Sequence, residues 1–221
     1  MAKAAVIRLE RSRMEALIDR LGHDDTPRVY IDRSVFVREL FWRRLDALLA
    51  LSRPPAHDRV LDFGGGNGIL TPTLARRYRE VVCADLRTEM ADELRRAEQL
   101  ANVTTLAGDI ASFALPGDSF DTIVAADVLE HIVDLPPLIA EFRRILKPGG
   151  ELLVSAPSEN RFYELGRHVF GYTKPDDHYH EAAYIGRTID GLLPLARKRY
   201  FPFRLAPLAV FLLARFAKEP R

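Results

Sequence analysis

Several features that would make this chain easy to classify are absent. Its 221 residues contain one cysteine, Cys83, so no intramolecular disulfide can form, and a reducing compartment fits that usage. Net charge is almost nil: 32 Lys and Arg against 31 Asp and Glu leave +1, without the long-range field of an obligatory nucleic-acid binder. The arginine pairs at 43–44, 76–77, 95–96 and 143–144 are dispersed and read as solvated helix faces. No apolar run reaches the ~20 residues needed to span a bilayer, and MAKAAVIRLERSR carries charge where a signal peptide needs an apolar core. A cytoplasmic protein is expected. Internal repeats and low-complexity tracts are also missing, and 48% hydrophobic content is ordinary for one domain with a real core.

The chain is organised around residues 60–70, VLDFGGGNGIL, which join a short apolar run ending near an acid to a glycine cluster and a helical pattern. Before it, Ile7, Met14, Leu17, Ile18 and Leu21 predict a helix over 3–21 that stops at Gly22. HDDTPR (23–28) follows as a linker. A second helix starts at Asp32 or Ser34, either of which can cap it, and ends before Pro54 and Pro55. After it, strands alternate with helices: RVLDF, EVVCAD, VTTLAG, SFDTIVAAD and ELLVSAP are strands, and helices run from Gly68 to Arg77, Thr88 to Leu100 and Leu135 to Leu146. Strands apolar on both faces between amphipathic helices predict an α/β fold, a doubly wound, Rossmann-like, mainly parallel sheet. Its strand C-termini gather at one edge, where ligands of such sheets bind. The expected organisation is one domain: a helical cap or lid (1–57), a core (58–203) with an insertion at about 158–180, and an apolar C-terminal segment (204–221). The insertion lacks clear period and reads as a lid or substrate loop; a helix over 181–193 and a strand-like KRYFPF follow.

Glycine spacing narrows the ligand. A dinucleotide fingerprint needs glycines at 64, 66 and 69, but residue 69 is Ile and the third glycine is Gly68. No Gly-Lys-Ser or Gly-Lys-Thr follows, which excludes a P-loop. From about residue 58 to 156, and more loosely to 203, the sequence resembles the class I S-adenosylmethionine-dependent methyltransferases, small-molecule enzymes of types 11 and 12 in particular. VLDFGGGNG resembles their first motif, and LKPGG before the last core strand is a further match. The resemblance implies S-adenosylmethionine as cofactor. It also implies that Gly64, Gly65, Gly66 and Gly68 let the cofactor approach backbone, with Asp62 at its methionine end. Asp85, followed by Leu86, is implied to grip the ribose hydroxyls, Asp109 and Ile110 to meet the adenine, and Asp127 to line the methyl-transfer side. Each acid alone also reads as a strand-end cap.

Methyl transfer needs alignment more than side-chain chemistry, with a base only if the acceptor arrives protonated. His131, His178 and His180 are candidates, His131 and His178 being carried forward as catalytic. For His178 and His180 the bland reading is that Asp176 or Asp177 caps a helix and the histidines are surface residues. Asp127-Val-Leu-Glu130-His131 also resembles a segment associated with a divalent metal in ubiquinone-pathway O-methyltransferases. No metal is expected, because no other oxygen ligand is identifiable, and Glu130 and His131 are read as shaping the pocket. Tyr30, Phe36, Phe162, Tyr163, Phe170, Tyr172 and Tyr179 can build an aromatic acceptor pocket or simply pack.

After KRYFPF no seventh strand is convincing. RLAPLAVFLLARFAK, apolar with Arg204, Arg215 and Lys218 around it, is compatible with peripheral membrane contact through 204–218, packing on the sheet, or a homodimer. The expected activity is methylation of an oxygen or nitrogen on a small or amphiphilic acceptor, lipid or isoprenoid included. A non-catalytic adenosylmethionine-binding partner subunit and, less favoured because of Ile69, a nicotinamide-dependent oxidoreductase are the competing readings. No nucleic-acid partner is expected.

Overall fold

The structure, a computed structural model, describes residues 5–21, 28–52 and 58–220. The expected stop at Gly22, most of the 23–28 linker and the Pro54-Pro55 break lie outside the described residues. Two compact units make up the chain: Met1–Ala50 with Pro54–Ala114, and Leu51–Arg53 with Leu115–Arg221.

In the first unit, helix α1 spans Arg11–Leu21 and α2 spans Val35–Leu49. Helix α1 is shorter than its pattern predicts. Val6 N donates to Asp46 Oδ1 at 2.6 Å and Ile7 N to Thr73 Oγ1 at 2.9 Å, so side chains take amides that a longer helix would have used internally. Both cap candidates act on α2: Ser34 accepts from Val37 N at 3.4 Å, and Asp32 Oδ1 accepts from Ser34 N at 2.6 Å. Arg44 corrects the reading of solvated arginine pairs, because it is buried in α2 and donates to the Tyr30 hydroxyl at 2.6 Å. Tyr30 packs edge-on against Trp42, its ring centroid 4.9 Å away, as core and not as an acceptor wall.

Strands β1 (Arg59–Phe63), β2 (Glu80–Asp85) and β3 (Val103–Ala107) are parallel in the order β3-β2-β1, with Asp62 opposite Cys83 and Asp85 opposite Ala107. Helices α3 (Thr71–Arg77) and α4 (Glu89–Ala97) complete the crossovers. The residues Gly68, Ile69 and Leu70, expected to open α3, stay outside it: Gly68 has φ +71°, and Pro72 stands in the first turn, where its missing N–H costs nothing. Cys83 is fully buried and burial pushes its thiol up, which makes it a core residue and not a nucleophile.

In the second unit, β4 (Phe120–Ala126) pairs in parallel with β5 (Leu146–Pro157), and helix α5 covers Leu135–Ile145. The LKPGG segment is an excursion at the start of β5. Phe120 faces Leu146 while Thr122 already faces Glu151, and Gly149 supplies the positive φ of +75°. Two expectations are overturned here. Residues 161–169 are a helix, α6 (Arg161–Val169), not a loop without period, and Asn160 caps it by accepting from Tyr163 N at 2.8 Å. Residues Phe211–Ala217 are a strand, β7, antiparallel to β5 on one side and to β6 (Leu195–Phe201) on the other, giving the order β4-β5-β7-β6. Strand β7 therefore lies inside a sheet, while Leu205 and Leu208 before it stay exposed. Helix α7 (Ala182–Asp190) is capped at Glu181, so neither Asp176 nor Asp177 caps it. Among the described residues no helix is long and apolar enough to cross a membrane.

Candidate functional site

The glycine turn leaves β1 at Phe63 and returns to helix α3. Gly64 N donates to Ala84 O at 2.8 Å and has φ +74°, which turns the chain at the C-terminal end of β1. Gly65 and Gly66 are required by crowding. A Cβ on Gly65 would sit 2.4 Å from Asp62 Oδ2, and one on Gly66 would sit 1.9 Å from the carbonyl of Arg87. A Cβ on Gly68 would meet Leu94 at 2.6 Å, so that glycine lets α4 pack close.

Beneath this turn Asp62 is buried, and its Oδ2 has no hydrogen-bond partner. Burial, and after it the charge of Asp85, push its carboxyl up to about 7. The groups coupled to it are acidic: Asp85, the Cys83 thiol and the Tyr30 phenol. A buried acid oxygen without a hydrogen-bond partner makes Asp62 a candidate contact for a cationic or hydrogen-bond-donating group.

Asp85 stands at the end of β2. Its Oδ2 accepts from Gly66 N at 2.9 Å and its Oδ1 from Arg87 N at 3.1 Å, so it also shapes the turn, with a lone pair of each oxygen left over. Leu86 beside it is exposed. After β3, Asp109 caps a short helical turn by accepting from Ala111 N at 2.9 Å, and Ile110 is buried. Gly108 leads into that turn at φ +140°.

The second unit holds the other candidates. Asp127 follows β4 at φ +55° and accepts from Ser155 Oγ at 2.9 Å; an aspartate tolerates that left-handed conformation better than most residues. His131 Nδ1 lies 2.8 Å from Asp177 Oδ2, and His178 Nδ1 lies 2.9 Å from Glu159 Oε1. The two imidazoles meet edge-on at 4.7 Å. His178 is not a surface residue, since its side chain is 8% exposed and that of Glu159 only 2%. His180 takes a structural place, with Nε2 3.1 Å from the Val133 carbonyl and its ring stacked on Tyr184 at 4.5 Å.

Glu159 is the residue that sequence reasoning missed. Burial would raise its pKa, but hydrogen bonds from Arg167 and His178, with their charges, hold it at about 2. Arg167 grips it with two guanidinium nitrogens, each 2.5 Å from a carboxylate oxygen, and stacks 4.0 Å over the Tyr163 ring. The position Glu159, with Arg167 eight residues later in α6, carries no sequence motif. Glu130 is buried, and Glu130, His131 and His178 offer ligand atoms within 4.8 Å of one another. His178 thus completes a three-residue cluster whose geometry could hold a metal ion, a grouping that the sequence did not reveal. Tyr163 packs on Phe211 and Phe162 on Phe203, while Tyr179 is exposed.

Residues 61–154 match a family described as a methyltransferase domain. Over those residues the chain carries a methyltransferase domain. Malonyl-[acyl-carrier protein] O-methyltransferase of Halorhodospira halophila is 32% identical over 149 residues, 66% of this chain and 50% of that protein. The ubiquinone/menaquinone biosynthesis C-methyltransferase UbiE of Vibrio vulnificus is 32% identical over 139 residues, 60% of this chain and 53% of that protein. Against these two curated relatives the chain spans about half their length. The N-methyltransferase NodS of Bradyrhizobium japonicum, solved with S-adenosyl-L-homocysteine, superposes with a TM-score of 0.66 at 25% identity, covering 93% of this chain and 97% of that one. The first unit of the methyltransferase domain fits the cofactor. Gly65 and Gly66 let the turn pack tightly over Asp62 and against Asp85, and the Asp62 Oδ2, which has no hydrogen-bond partner, suits the ammonium of a methionine moiety.

Proposed function

We propose that the chain transfers a methyl group from S-adenosylmethionine to an oxygen or nitrogen of a small or amphiphilic acceptor. The observation that carries this reading is the buried, partnerless oxygen of Asp62 beneath a turn whose glycines admit no Cβ. When bound, the cofactor supplies a methyl group on a positively charged sulfur. The acceptor's lone pair forms the new bond to carbon, the sulfur keeps the pair from the bond that breaks, and a protonated acceptor must give up its proton.

His131 and His178 are suited to take that proton. Each has Nδ1 against a carboxylate oxygen, at 2.8 and 2.9 Å, so in the neutral ring the N–H belongs at Nδ1 and the proton-accepting lone pair at Nε2. Glu159, ionised down to about pH 2, fixes the tautomer of His178 throughout the physiological range. The names of the relatives include oxygen, nitrogen and carbon methylation, so they support the reaction class more than the acceptor atom.

The test is incubation of the protein with methyl-labelled S-adenosylmethionine in a cell extract and identification of the labelled product. Label on an oxygen or nitrogen of a small molecule is expected, with His178→Ala lowering turnover about a hundredfold at unchanged donor affinity. Tight donor binding without label in any product would contradict the proposal and leave a non-catalytic donor-binding subunit.

A further inference from the structure

Exposed apolar surface is concentrated in one place in the second unit. Of the 14 exposed large apolar side chains among the described residues, seven fall within 162–170 and 203–208. Helix α6 has its apolar stripe turned outward: Phe162, Leu165 and Val169 stand at i, i+3 and i+7, with Leu165 61% and Val169 66% exposed. The turn between β6 and β7 adds Phe203, Leu205 (63% exposed) and Leu208.

The two segments form one surface. The Phe162 and Phe203 rings meet edge-on at 6.1 Å. Asn160 Nδ2 donates to the carbonyls of Ala206 at 3.1 Å and Ala209 at 2.8 Å, and Ser158 Oγ donates to Ala209 O at 2.7 Å. The start of α6 is therefore pinned to the turn that carries Leu205 and Leu208, and their outward display is built into the fold.

Charge around this surface has one prevailing sign. Arg161 and Arg204 are chain neighbours of Phe162 and Phe203, and both are exposed. Arg197, Lys198 and Arg199 are exposed on β6, the strand that leads into the turn, while Glu164 is the one acid of α6. In a chain of net charge +1 this is a local concentration. A second copy docking through the same patch would bring these arginines against their own counterparts, which opposes self-pairing. An anionic lipid surface satisfies both halves: acyl chains accept the apolar stripe and phosphate headgroups accept the arginine rim.

We infer that the α6 stripe and the 203–208 turn form a docking surface for an anionic phospholipid bilayer. This inference stands apart from the methyl-transfer reading, since docking requires no turnover.

The test is co-sedimentation of the full chain with vesicles of phosphatidylcholine, with and without phosphatidylglycerol. Partitioning about tenfold stronger on the anionic vesicles is expected, weakening as salt rises. Leu165→Asp with Val169→Asp should lower it at least about tenfold, and Arg161→Glu with Arg204→Glu should abolish the preference for anionic lipid. These positions are exposed, so an unchanged thermal midpoint is expected for every variant. Absence of vesicle binding by the wild type would overturn the inference. So would binding that the patch variants leave intact, or a dimer that Leu165→Asp dissociates while vesicles are ignored.

Discussion

Asp62 and Glu159 are both buried carboxylates, one in each unit, and their environments push them in opposite directions. Asp62 is surrounded by apolar groups and other acids, its Oδ2 has no partner, and its carboxyl rises to about 7. Glu159 is also buried, though less deeply, and hydrogen bonds and charges from Arg167 and His178 hold it at about 2, with Lys174 3.8 Å away. Burial alone therefore says little about role. A buried acid with its cations in place belongs to the framework, and a buried acid without one awaits a ligand.

The linkage signs differ accordingly. Glu159 contributes stability that is present above its unfolded value of 4.5 and is lost as pH falls toward about 2. Asp62 in the unliganded protein favours its proton, so its contribution is present below 3.8 and is lost as pH rises through about 7. A bound cation reverses that loss.

The contrast can be broken most forcefully at Glu159. Glu159→Ala leaves the Arg167 guanidinium and His178 without their anion, and a loss of roughly 3–5 kcal/mol in denaturant-measured stability is expected. An unchanged midpoint would refute the framework role. Gly66→Ala comes next, because its Cβ would lie 1.9 Å from a backbone oxygen that cannot step aside. Donor affinity should fall about a hundredfold by calorimetry, with much smaller change in the second unit's His131–Asp177 contact. Asp85→Asn is milder. The amide keeps one oxygen for the turn but loses charge and one acceptor, and a drop of about tenfold in donor affinity is expected. Affinity equal to wild type would limit Asp85 to shaping the turn.

Local spacing made the first unit largely legible in the sequence. Asp62, the glycines to Gly68, Asp85 and Asp109 all lie at strand ends whose positions the apolar runs define. The second unit was harder for physical reasons. Strand β7 is buried on both faces, so Phe211–Ala217 has no period by which to tell strand from helix. Helix α6 shows the spacing of Phe162, Leu165 and Val169, but its apolar stripe faces outward, and Asn160 was the overlooked start signal. Glu159 and His178 are 19 residues apart and meet only through the folded loop between them. Arg44, one of a pair resembling solvated charge, is buried on Tyr30.

The central claim is that Asp62 exchanges a proton for the cationic end of the donor. Calorimetry of S-adenosylhomocysteine binding between pH 5.5 and 7, in buffers of differing ionisation enthalpy, tests it directly; the ligand's amine stays charged in this range, its ordinary pKa being about 8. With Asp62 near 7 when unliganded, binding at pH 6 should release close to one proton, and affinity should rise about tenfold per pH unit toward 7. Asp62→Asn should flatten that dependence. Affinity independent of pH in the wild type, with no proton released, would contradict the account.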